Sequence, residues 1–452
     1  MNIELDQGSL YIIKKLQDNG YEAYLVGGSV RNALLNGQTT DFDITTSATP
    51  EIIMSLFPHT VPTGLVHGTV TIIKDHIPYE VTTYRTDGDY VDSRHPVSVQ
   101  FVRDLTQDLQ RRDFTINAMA YDPFSKTLVD PFGGRSDLKI RMIRAVGNPL
   151  ERLTEDALRI IRGIRFAASL NFNIESETLK AMSDLSRLLV HISSERIYYE
   201  LSRILSSEKP SVGIELMLYT GALEVIMPEL LPMAGFKQFS PYHHKDVFFH
   251  TMQVLDNTRP YLPLRLAALF HDSGKPHRFS MGEDGIGHFY GYEEASYEIA
   301  KTILTRLKVD NKTRETTLLL IQKHMVSLDI KRPVKIKRLI KEFGPDNINL
   351  FFEFKEADHS GKTGGTKVDG RLIKLKDRVI EIIQNKEPLE LEDLVITGND
   401  LLAMGFTKGP LIGCVLNDLL IEVLANPDLN RMDYLGPRAL ELKENYNEPK
   451  RD

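Results

Sequence analysis

The 452-residue sequence contains very little cysteine and no long apolar run. Cys414 is its single cysteine, so no disulfide can form within the chain and no zinc site can be built from several thiolates. No apolar stretch approaches the roughly 20 residues that a membrane-spanning helix needs. The first sixteen residues lack the basic, apolar and small-residue order of a signal peptide. Together these absences favour a protein of the reducing cytoplasm.

The chain also lacks the excess of positive charge that is typical of a uniformly basic nucleic-acid-binding surface. Lysine and arginine total 55 against 62 aspartate and glutamate, which gives a formal net charge of −7. Local basic patches can still bind phosphate within an acidic chain. The length exceeds what one compact core normally contains, so we expect two to four domains.

The most informative stretch lies at residues 25–43 and reads LVGGSVRNALLNGQTTDFD. Residues 21–26 alternate apolar positions and predict a short strand. Gly27 and Gly28 follow and let the backbone turn sharply against a ligand. Ser29 is placed to cap the next helix. A strand, a glycine turn and a helix N-terminus in this order predict an anion site.

Charged residues of both signs accompany this predicted anion site. Arg31 adds a cation in the first turn of the helix. A strand is predicted next, over residues 39–45, and carries Asp41 and Asp43 two positions apart. Because alternate residues of a strand point the same way, both carboxylates would lie on one face. Two carboxylates beside an anion site are suited to hold Mg²⁺ against a triphosphate.

Taken separately, a Gly-Gly pair is usually only a turn, and an Asp-x-Asp pair is usually a solvated strand edge. Their combination across one helix resembles the signature of the nucleotidyltransferase superfamily, in the branch that holds bacterial tRNA CCA-adding enzymes and poly(A) polymerases. The resemblance implies that Asp41 and Asp43 are catalytic and bind Mg²⁺. It implies that four residues hold the β- and γ-phosphates: Gly27, Gly28, Ser29 and Arg31.

A second charged motif, RRDFTINAMAYD, occupies residues 111–122. Arg111, Arg112 and Asp113 precede an apolar run, residues 114–120, that we expect to be helical. Paired arginines suit phosphate and an aspartate suits a ribose hydroxyl, although a charged helix cap would look the same. The motif resembles the second motif of the family, which implies that Arg112 and Asp113 hold the sugar and the phosphates of the nucleotide.

Between these motifs the sequence predicts a hairpin and a loop. Thr69–Lys74 and Ile77–Thr83 read as two antiparallel strands. The resemblance makes Glu80 a candidate third acid of the metal site, and a plain surface charge is the alternative. Residues 85–102 are polar and are expected to form an exposed, mobile loop. An intact loop here implies, by resemblance, an enzyme able to add the terminal adenosine.

Residues 155–166, EDALRIIRGIRF, predict one continuous helix with a polar stripe. Asp156 and Arg159 are three positions apart, so we expect their side chains to meet. Such a stripe is ordinarily a solvated face. Here it resembles the family's base-selecting motif, which implies that Asp156 and Arg159 read the incoming base without a nucleic-acid template. Arg162 and Arg165 would lie near phosphate.

A second group of candidate metal ligands begins at His271 and Asp272, which directly follow a predicted apolar helix over residues 264–270. It resembles the HD phosphohydrolase superfamily, in which His and Asp side chains from several helices bind one or two metals. His324 fits an intermediate ligand, but Tyr292 stands where the family commonly has histidine. A helical spacer with a partial metal site is therefore the alternative. The resemblance implies a divalent transition metal on His250, His271, Asp272 and Asp358.

We therefore predict an α+β fold: a mixed-sheet nucleotidyltransferase head at residues 1–145, then an all-helical remainder. The helical part would comprise a neck of base-selecting and RNA-binding helices at 146–225, an HD domain at 226–385 and a tRNA-binding tail at 386–452. Within the neck, Ser194–Leu205 is expected to support the base-selecting helix. The expected partners are tRNA, CTP and ATP.

The family resemblance implies template-independent addition of CCA to tRNA 3′ ends, with release of pyrophosphate. Two other functions fit the same motifs. An A-only adding enzyme or a poly(A) polymerase would use every catalytic residue named above. A metal-dependent HD phosphohydrolase would use the head only to bind RNA.

Overall fold

A computed structural model describes residues 3, 5–36, 42–88, 99–239, 246–283, 285–327, 329–363 and 370–447. The chain divides into two compact units. Unit 1 contains Met1–Gly235, Pro260–Leu262 and Lys301–Asp310, and unit 2 contains Phe236–Arg259, Pro263–Ala300 and Asn311–Asp452. Within the described ranges, we find no helix that is both long enough and apolar enough to cross a membrane.

The described part of unit 1 contains a seven-stranded sheet and two two-stranded pairs. Its strands are β1 Ala23–Val26, β2 Asp43–Thr46, β3 Thr60–Gly64, β4 Thr69–Lys74, β5 Ile77–Thr83, β6 Arg85–Asp87, β7 Val99–Phe101, β8 Ala120–Asp122, β9 Thr127–Val129, β10 Met142–Ile143 and β11 Asn173–Ile174. The large sheet has the order β3-β4-β5-β2-β1-β8-β9, and the two pairs are β6–β7 and β10–β11. Only its β2–β5 contact is parallel. The mixed sheet predicted for the head is therefore confirmed.

Helices cover this sheet and continue beyond it. They are α1 Gln7–Asp18, α2 Gly28–Asn36, α3 Pro50–Leu56, α4 Leu105–Gln110, α5 Gly134–Lys139, α6 Pro149–Glu155, α7 Leu158–Leu170, α8 Ser176–Leu185, α9 Ser194–Leu205, α10 Pro210–Tyr219 and α11 Ala222–Ile226. Asp6 caps α1 by accepting a hydrogen bond from the Ser9 N–H. The apolar side of α1 packs into the core of the sheet through Ile12, Ile13 and Leu16.

The predicted hairpin is confirmed at its predicted ends. Strands β4 and β5 pair antiparallel from Thr69 opposite Thr82 to Lys74 opposite Ile77. Asp75 and His76 form the two-residue turn, with φ of 52° and 65°. Positive φ at both central positions is the conformation that matches the twist of the flanking strands.

The predicted loop over residues 85–102 and the predicted helix over residues 114–120 both differ from the structure. The ends of the predicted loop, β6 and β7, pair as antiparallel strands, because extended Val99 and Phe101 find hydrogen-bonding partners in β6. Residues 89–98 of that loop lie outside the described residues.

Residues 114–120 do not form the expected helix. They make a 3₁₀ turn at Thr115–Asn117 and then enter β8, which pairs with β1.

Unit 2 is built almost entirely of helices, as predicted. The remaining elements are α12 Val247–Asn257, α13 Leu262–Phe270, β12 Ser280–Met281, β13 Gly287–His288, α14 Tyr292–Arg306, α15 Asn311–Lys323, α16 Pro333–Phe343, α17 Ile348–Thr363, α18 Gly370–Gln384, α19 Gly398–Ala403, α20 Pro410–Ala425 and α21 Met432–Asn447. Helices α19, α20 and α21 share a core that includes Leu401, Leu419 and Leu435. The finer boundaries of neck, HD domain and tail stay a prediction.

Candidate active site and candidate metal centre

The glycine turn between β1 and α2 lies against a cation and a carboxylate. Gly27 has φ of +70°. A Cβ atom at Gly27 would lie 2.9 Å from Arg112 Nη1 and 3.9 Å from Asp43 Oδ2. Only glycine adopts this backbone conformation at low cost and leaves this space open. The first motif, the second motif and the Asp43 carboxylate thus converge at one point.

Ser29 does not cap α2 as predicted. The left-handed turn at Gly27 starts the helix at Gly28, so Ser29 lies within its first turn. The Ser29 Oγ accepts a hydrogen bond of 2.9 Å from the Asp43 N–H, and the Ser29 side chain is buried. Ser29 therefore ties the start of α2 to the start of β2.

The acidic residues of the predicted metal site fall on two neighbouring strands. Asp43 is the first residue of β2 and stands opposite Glu80 of β5 in their parallel register. Paired residues on neighbouring strands project on the same face of a sheet. Glu80 is exposed and Asp43 is half-buried. Asp41 lies outside the described residues.

A chain of side-chain hydrogen bonds connects α2 with α7. Arg31 Nη1 donates to Asn117 Oδ1 at 2.6 Å, and Asn117 Nδ2 donates to Asp113 Oδ1 at 3.0 Å. Arg162 Nη2 donates to the other Asp113 oxygen at 2.6 Å. The structure therefore brings together Arg31, Asp113 and Arg162, which the sequence placed in three separate motifs.

Burial and charge shift the pKa values in this chain. Burial and the positive charges of Arg165 and Arg162 lower the pKa of Arg31 to about 10, against the opposing effect of Asp113. Burial alone would raise the pKa of Asp113, but the Arg162 charge and the Asn117 and Arg162 hydrogen bonds outweigh it. The pKa of Asp113 therefore lies far below its ordinary value, and the carboxylate is ionised.

Helix α9 forms where Ser194–Leu205 was predicted and supplies a buried acid to the arginines. Glu200 is 2% exposed. One of its oxygens lies 2.5 Å from Arg165 Nε and the other lies 3.7 Å from Arg162 Nη1. The Arg165 guanidinium also stacks 4.0 Å from the centre of the Phe166 ring. Sequence reasoning assigned α9 no such residue, because its partners lie on another helix.

The prediction of one continuous helix over residues 155–166 is wrong, because the helix is interrupted at Asp156. Helix α6 ends at Glu155 and α7 begins at Leu158, with Asp156 in an extended conformation. Asp156 Oδ1 accepts from the Leu158 N–H at 3.0 Å, and Oδ2 accepts from Arg196 Nη2 at 2.8 Å. An aspartate that can accept from the backbone two residues on favours a helix start over a helix interior.

Arg159 consequently pairs with Glu155 instead of with Asp156 as predicted. Its Nη1 donates to Glu155 Oε2 at 2.6 Å and to the Arg152 carbonyl at 2.7 Å. Its Nη2 donates to the Arg111 carbonyl at 3.1 Å. Asp156 and Arg159 are thus each held in place, but by different partners.

Asp108 was not identified from the sequence, although it organises the second motif. Its fully buried carboxylate lies 2.8 Å from Arg111 Nη2 and 3.5 Å from Arg112 Nη2. It accepts from Thr45 Oγ1 of β2 at 3.1 Å and from the Arg85 N–H at 3.3 Å. The spacing of three and four residues to the two arginines is the signal that could have revealed it.

In unit 2, four predicted ligands meet. His250 lies on α12, His271 and Asp272 follow α13, and Asp358 lies on α17. His250 Nε2 is 3.6 Å from Asp272 Oδ2 and 3.4 Å from Asp358 Oδ1. His271 Nε2 is 3.4 Å and 3.7 Å from the same two oxygens. The Nε2 atom of each of the two histidines therefore lies within 3.7 Å of both carboxylates.

This arrangement fits a metal ion. For metal–ligand bonds of about 2.1 Å, neighbouring ligand atoms lie about 3.0–3.4 Å apart, close to the separations found here. His271 Nδ1 lies 2.9 Å from the Ala268 carbonyl oxygen and must donate to it, which leaves Nε2 as the ligand atom. His250, His271 and Asp272 each offer an atom within 4.8 Å of the others.

Four further polar side chains border the candidate metal centre. Lys275 Nζ lies 2.7 Å from Asp272 Oδ2 and 2.9 Å from Gln238 Oε1. The Tyr292 hydroxyl lies 3.0 Å from Nε2 of His324. The structure therefore brings His324 to the centre, as predicted, but with Tyr292 on the nitrogen that a metal would use.

Two family models match the first half of the chain. One, described as "Poly A polymerase head domain", matches residues 23–144. The other, described as "Probable RNA and SrmB- binding site of polymerase A", matches residues 171–233. The first spans the glycine turn and the arginine motif, and the second spans α9.

Known proteins resemble the chain over more of its length. The CCA-adding enzyme of Pediococcus pentosaceus is 35% identical over 414 residues, 91% of this chain and 92% of that relative. The CCA-adding enzyme of Streptococcus gordonii is 49% identical over 224 residues, 50% of this chain and 56% of that relative. The crystal structure of Bacillus stearothermophilus CCA-adding enzyme in complex with CTP aligns with a TM-score of 0.71 and 29% identity, over 97% of this chain and 98% of that one. The chain therefore belongs to the family of CCA-adding enzymes.

Proposed function

We propose that this chain adds CCA to the 3′ ends of tRNA, using CTP and ATP without a nucleic-acid template and releasing pyrophosphate. Its family membership supports this reaction. The structural observation that carries the proposal is the convergence of Gly27, Arg112 and Asp43. A triphosphate and a divalent cation need such a neighbourhood of open backbone, fixed cation and carboxylate.

The acids of the head are proposed to bind Mg²⁺. Asp43 and Glu80 are adjacent across β2 and β5, and carboxylate oxygens are the ligands that Mg²⁺ prefers. We propose Asp41 as the companion of Asp43 and Glu80 as a third acid. When bound there, Mg²⁺ supplies activation of the primer hydroxyl and charge neutralisation of the leaving pyrophosphate.

The glycine turn and α2 are proposed to hold the phosphates. The Gly28 N–H and the positive end of the α2 dipole would face the phosphates, because the Gly27 N–H already donates to the Met119 carbonyl at 3.2 Å. Arg31 and Arg112 would add charge-assisted hydrogen bonds. Ser29, whose hydroxyl accepts from the Asp43 N–H, would also fix the distance between the phosphate turn and the metal-binding strand.

The break between α6 and α7 is proposed to select the base. Asp156, oriented by Arg196, offers acceptor oxygens, and Arg159, oriented by Glu155, offers donors. Fixed donors and acceptors can pair with the edge of cytosine or adenine without a template strand. The ionised Asp113 would hold Arg162 beside the sugar and phosphates, and Arg165 would lie next to it on α7.

Nucleotide incorporation tests this proposal. Purified protein is incubated with tRNA that lacks CCA and with CTP alone, ATP alone or both. We expect two cytidines with CTP alone and CCA with both. Absence of CTP incorporation would instead favour an A-only adding enzyme or a poly(A) polymerase. Asp43→Asn should abolish incorporation, whereas Asp75→Asn, an exposed aspartate in the β4–β5 turn, should not.

A second activity is supported by the geometry of unit 2. The convergence of His250, His271, Asp272 and Asp358 suits a divalent transition metal, and such centres hydrolyse phosphate esters. Asp272→Ala should remove hydrolysis of a cyclic phosphate and leave CTP incorporation intact. Hydrolysis without any incorporation by the unaltered chain would favour the alternative of a phosphohydrolase with an RNA-binding head.

The domain assignments follow from these proposals. We propose a catalytic head at residues 1–145, a base-selecting and RNA-binding neck at 146–225, an HD domain at 226–385 and a tRNA-binding tail at 386–452. The basic helix α16, with exposed Lys335 and Lys341, is suited to contact an RNA backbone. A tRNA-processing role and a single cysteine both favour action in the cytoplasm.

A further inference from the structure

Three arginines surround one buried aromatic ring in unit 1. Phe166 lies on α7 and is 4% exposed. The guanidinium carbons of Arg165, Arg31 and Arg162 lie 4.0, 5.0 and 5.7 Å from the centre of its ring. A guanidinium within about 6 Å of the face of an aromatic ring is attracted to it, and the attraction is stronger where water is excluded. The Phe166 ring therefore stabilises the positions of these arginines.

The contact of the ring with Arg31 bears on the proposed phosphate site. A Cβ atom at Gly28 would lie 3.5 Å from Arg31 Nη2, so this guanidinium borders the glycine turn. Its Nη1 donates to Asn117 Oδ1 at 2.6 Å, and its Nη2 donates to Asn32 Oδ1 at 2.9 Å. The two amides and the Phe166 ring are uncharged. They orient the Arg31 guanidinium without neutralising it, which leaves its charge for a phosphate.

The other two arginines are held by carboxylates. Arg162 Nη2 lies 2.6 Å from Asp113 Oδ2, and Arg165 Nε lies 2.5 Å from Glu200 Oε2. Burial and the positive charges of Arg165 and Arg162 lower the pKa of Arg31, so these neighbours oppose its charged form. Attraction to the ring that all three share offsets part of this repulsion.

Packing fixes the orientation of the ring. Phe166 meets Phe114 edge to face, with ring centres 5.8 Å apart and ring planes at 82°. Phe114 is fully buried and directly follows Asp113 in the second motif. Aromatic pairs favour this geometry over a face-to-face stack. Arg31 therefore packs against a ring that both α7 and the second motif hold in place.

We propose that Phe166 is a positioning residue for nucleotidyl transfer, and that its ring holds Arg31 where Arg31 binds the phosphates of the nucleotide. This inference rests on the proposed function and deepens it. Helix α7 carries Arg159 for the base and Arg162 for the sugar, so Phe166 lets the same helix position the phosphate end of the nucleotide. Because CTP and ATP share the triphosphate, both nucleotides depend on the ring alike.

The kinetics of Phe166→Leu test the inference. The change keeps apolar bulk and removes the ring. KM and kcat are measured for CTP with tRNA that lacks CCA, and for ATP with tRNA that ends in CC. We expect KM for both nucleotides to rise about 5- to 30-fold, as loss of a desolvated cation–π contact implies. We expect kcat to change by less than about threefold, because Arg31 holds the phosphates both before and during the reaction.

Phe57→Leu is the matched control. Phe57 is 2% exposed and belongs to the core against which α1 packs, and Lys15 Nζ lies 4.9 Å from the centre of its ring. This variant removes a buried ring and its cation contact outside the proposed site. Both variants should lose a similar unfolding free energy in urea, but only Phe166→Leu should change KM. An unchanged KM in folded Phe166→Leu, or an equal rise in both variants, would overturn the inference.

A double-mutant cycle shows whether the ring acts through Arg31. In a chain that already carries Arg31→Gln, Phe166→Leu should raise KM by less than about twofold more. Full additivity of the two effects would give the ring another role and overturn the inference. If Phe166→Leu does not fold, Phe166→Met replaces it throughout, because the flexible methionine side chain fills irregular space.

Failure of the inference and failure of the proposed function give different results. A parent chain that incorporates neither CTP nor ATP would refute the proposed function and this inference with it. A parent chain that incorporates both, with no change of KM in Phe166→Leu, would refute the inference alone.

Discussion

At the scale of single residues, the positive φ of Gly27 forms the glycine turn between β1 and α2. The sequence predicted the glycine turn, and the structure adds what the turn faces: Arg112, from a motif 85 positions later in the chain, and Asp43. A sequence pattern indicates local conformation well, but it carries no information on which distant side chains share one point in space. For the same reason Asn117 and Glu200 were missed.

We expect Gly27→Ala to remove most nucleotide incorporation. The new Cβ would lie 2.9 Å from Arg112 Nη1, and misplacing a substrate-binding group by about 1 Å costs on the order of 100-fold in rate. Gly20→Ala is the matched control, because Gly20 has φ of +84° and no atom within 4 Å of its Cβ position. Each variant should lose about 1 kcal/mol of unfolding free energy, but only Gly27→Ala should lose activity.

Asp108→Asn is expected to raise the KM for CTP and to lower the unfolding free energy. The change removes the negative charge that holds Arg111 and Arg112, and breaking a buried ion pair costs about 3–5 kcal/mol. Asp137→Asn controls for stability alone, since buried Asp137 pairs with Arg144 at 3.2 Å and with Thr115. An unchanged KM in Asp108→Asn, at full folding, would contradict a role in positioning the arginines.

At the scale of elements, helix and strand type were predicted better than their interruptions. The β4–β5 hairpin, α9 and α13 lie where their patterns place them. The break at Asp156 was missed, because no glycine or proline stands between Glu155 and Leu158 to mark the end of one helix and the start of the next. At the junction the Asp156 side chain accepts from the Leu158 N–H and from Arg196, and a periodicity argument includes neither hydrogen bond.

The Asp113–Arg162 ion pair joins the second motif to α7, and it leads to a prediction about stability in acid. The pKa of Asp113 is lowered in the folded chain from an ordinary 3.8. The unfolded state therefore binds the proton of Asp113 more tightly than the folded state does. The ion pair stabilises the folded chain at pH values above the unfolded pKa, and this stabilisation is lost as the pH falls from the unfolded pKa towards the folded one. Asp113→Asn should flatten the fall of unfolding free energy between about pH 5 and pH 3, measured by urea denaturation. An unchanged slope would contradict the ion pair.

At the scale of the whole molecule, the sequence predicted an α+β head with helices after it, and the structure has that architecture. The family resemblance named four candidate metal ligands between His250 and Asp358, and the structure brings these four side chains together. The contact of the Tyr292 hydroxyl with His324 was not predicted, since the two side chains are brought together by packing that the sequence does not show.

The two proposed metal centres lie in different units, so their activities should separate. After chelation, Mg²⁺ should restore CTP incorporation, and a transition metal should be required for phosphate-ester hydrolysis. His271→Ala should lose hydrolysis and keep incorporation, and Asp43→Asn should show the reverse. Paired assays on the same preparations check this, and loss of both activities in either variant would contradict two independent centres.

The most direct test of the account is a crystal structure of the chain with Mn²⁺ and a non-hydrolysable CTP analogue, with Mn²⁺ located by anomalous scattering. We predict a Mn²⁺ ion bound by Asp41 and Asp43, and a triphosphate that contacts the Gly27–Gly28 turn and Arg112. A triphosphate bound elsewhere, or an Asp43 carboxylate directed away from the turn with no ion beside it, would contradict the proposed active site.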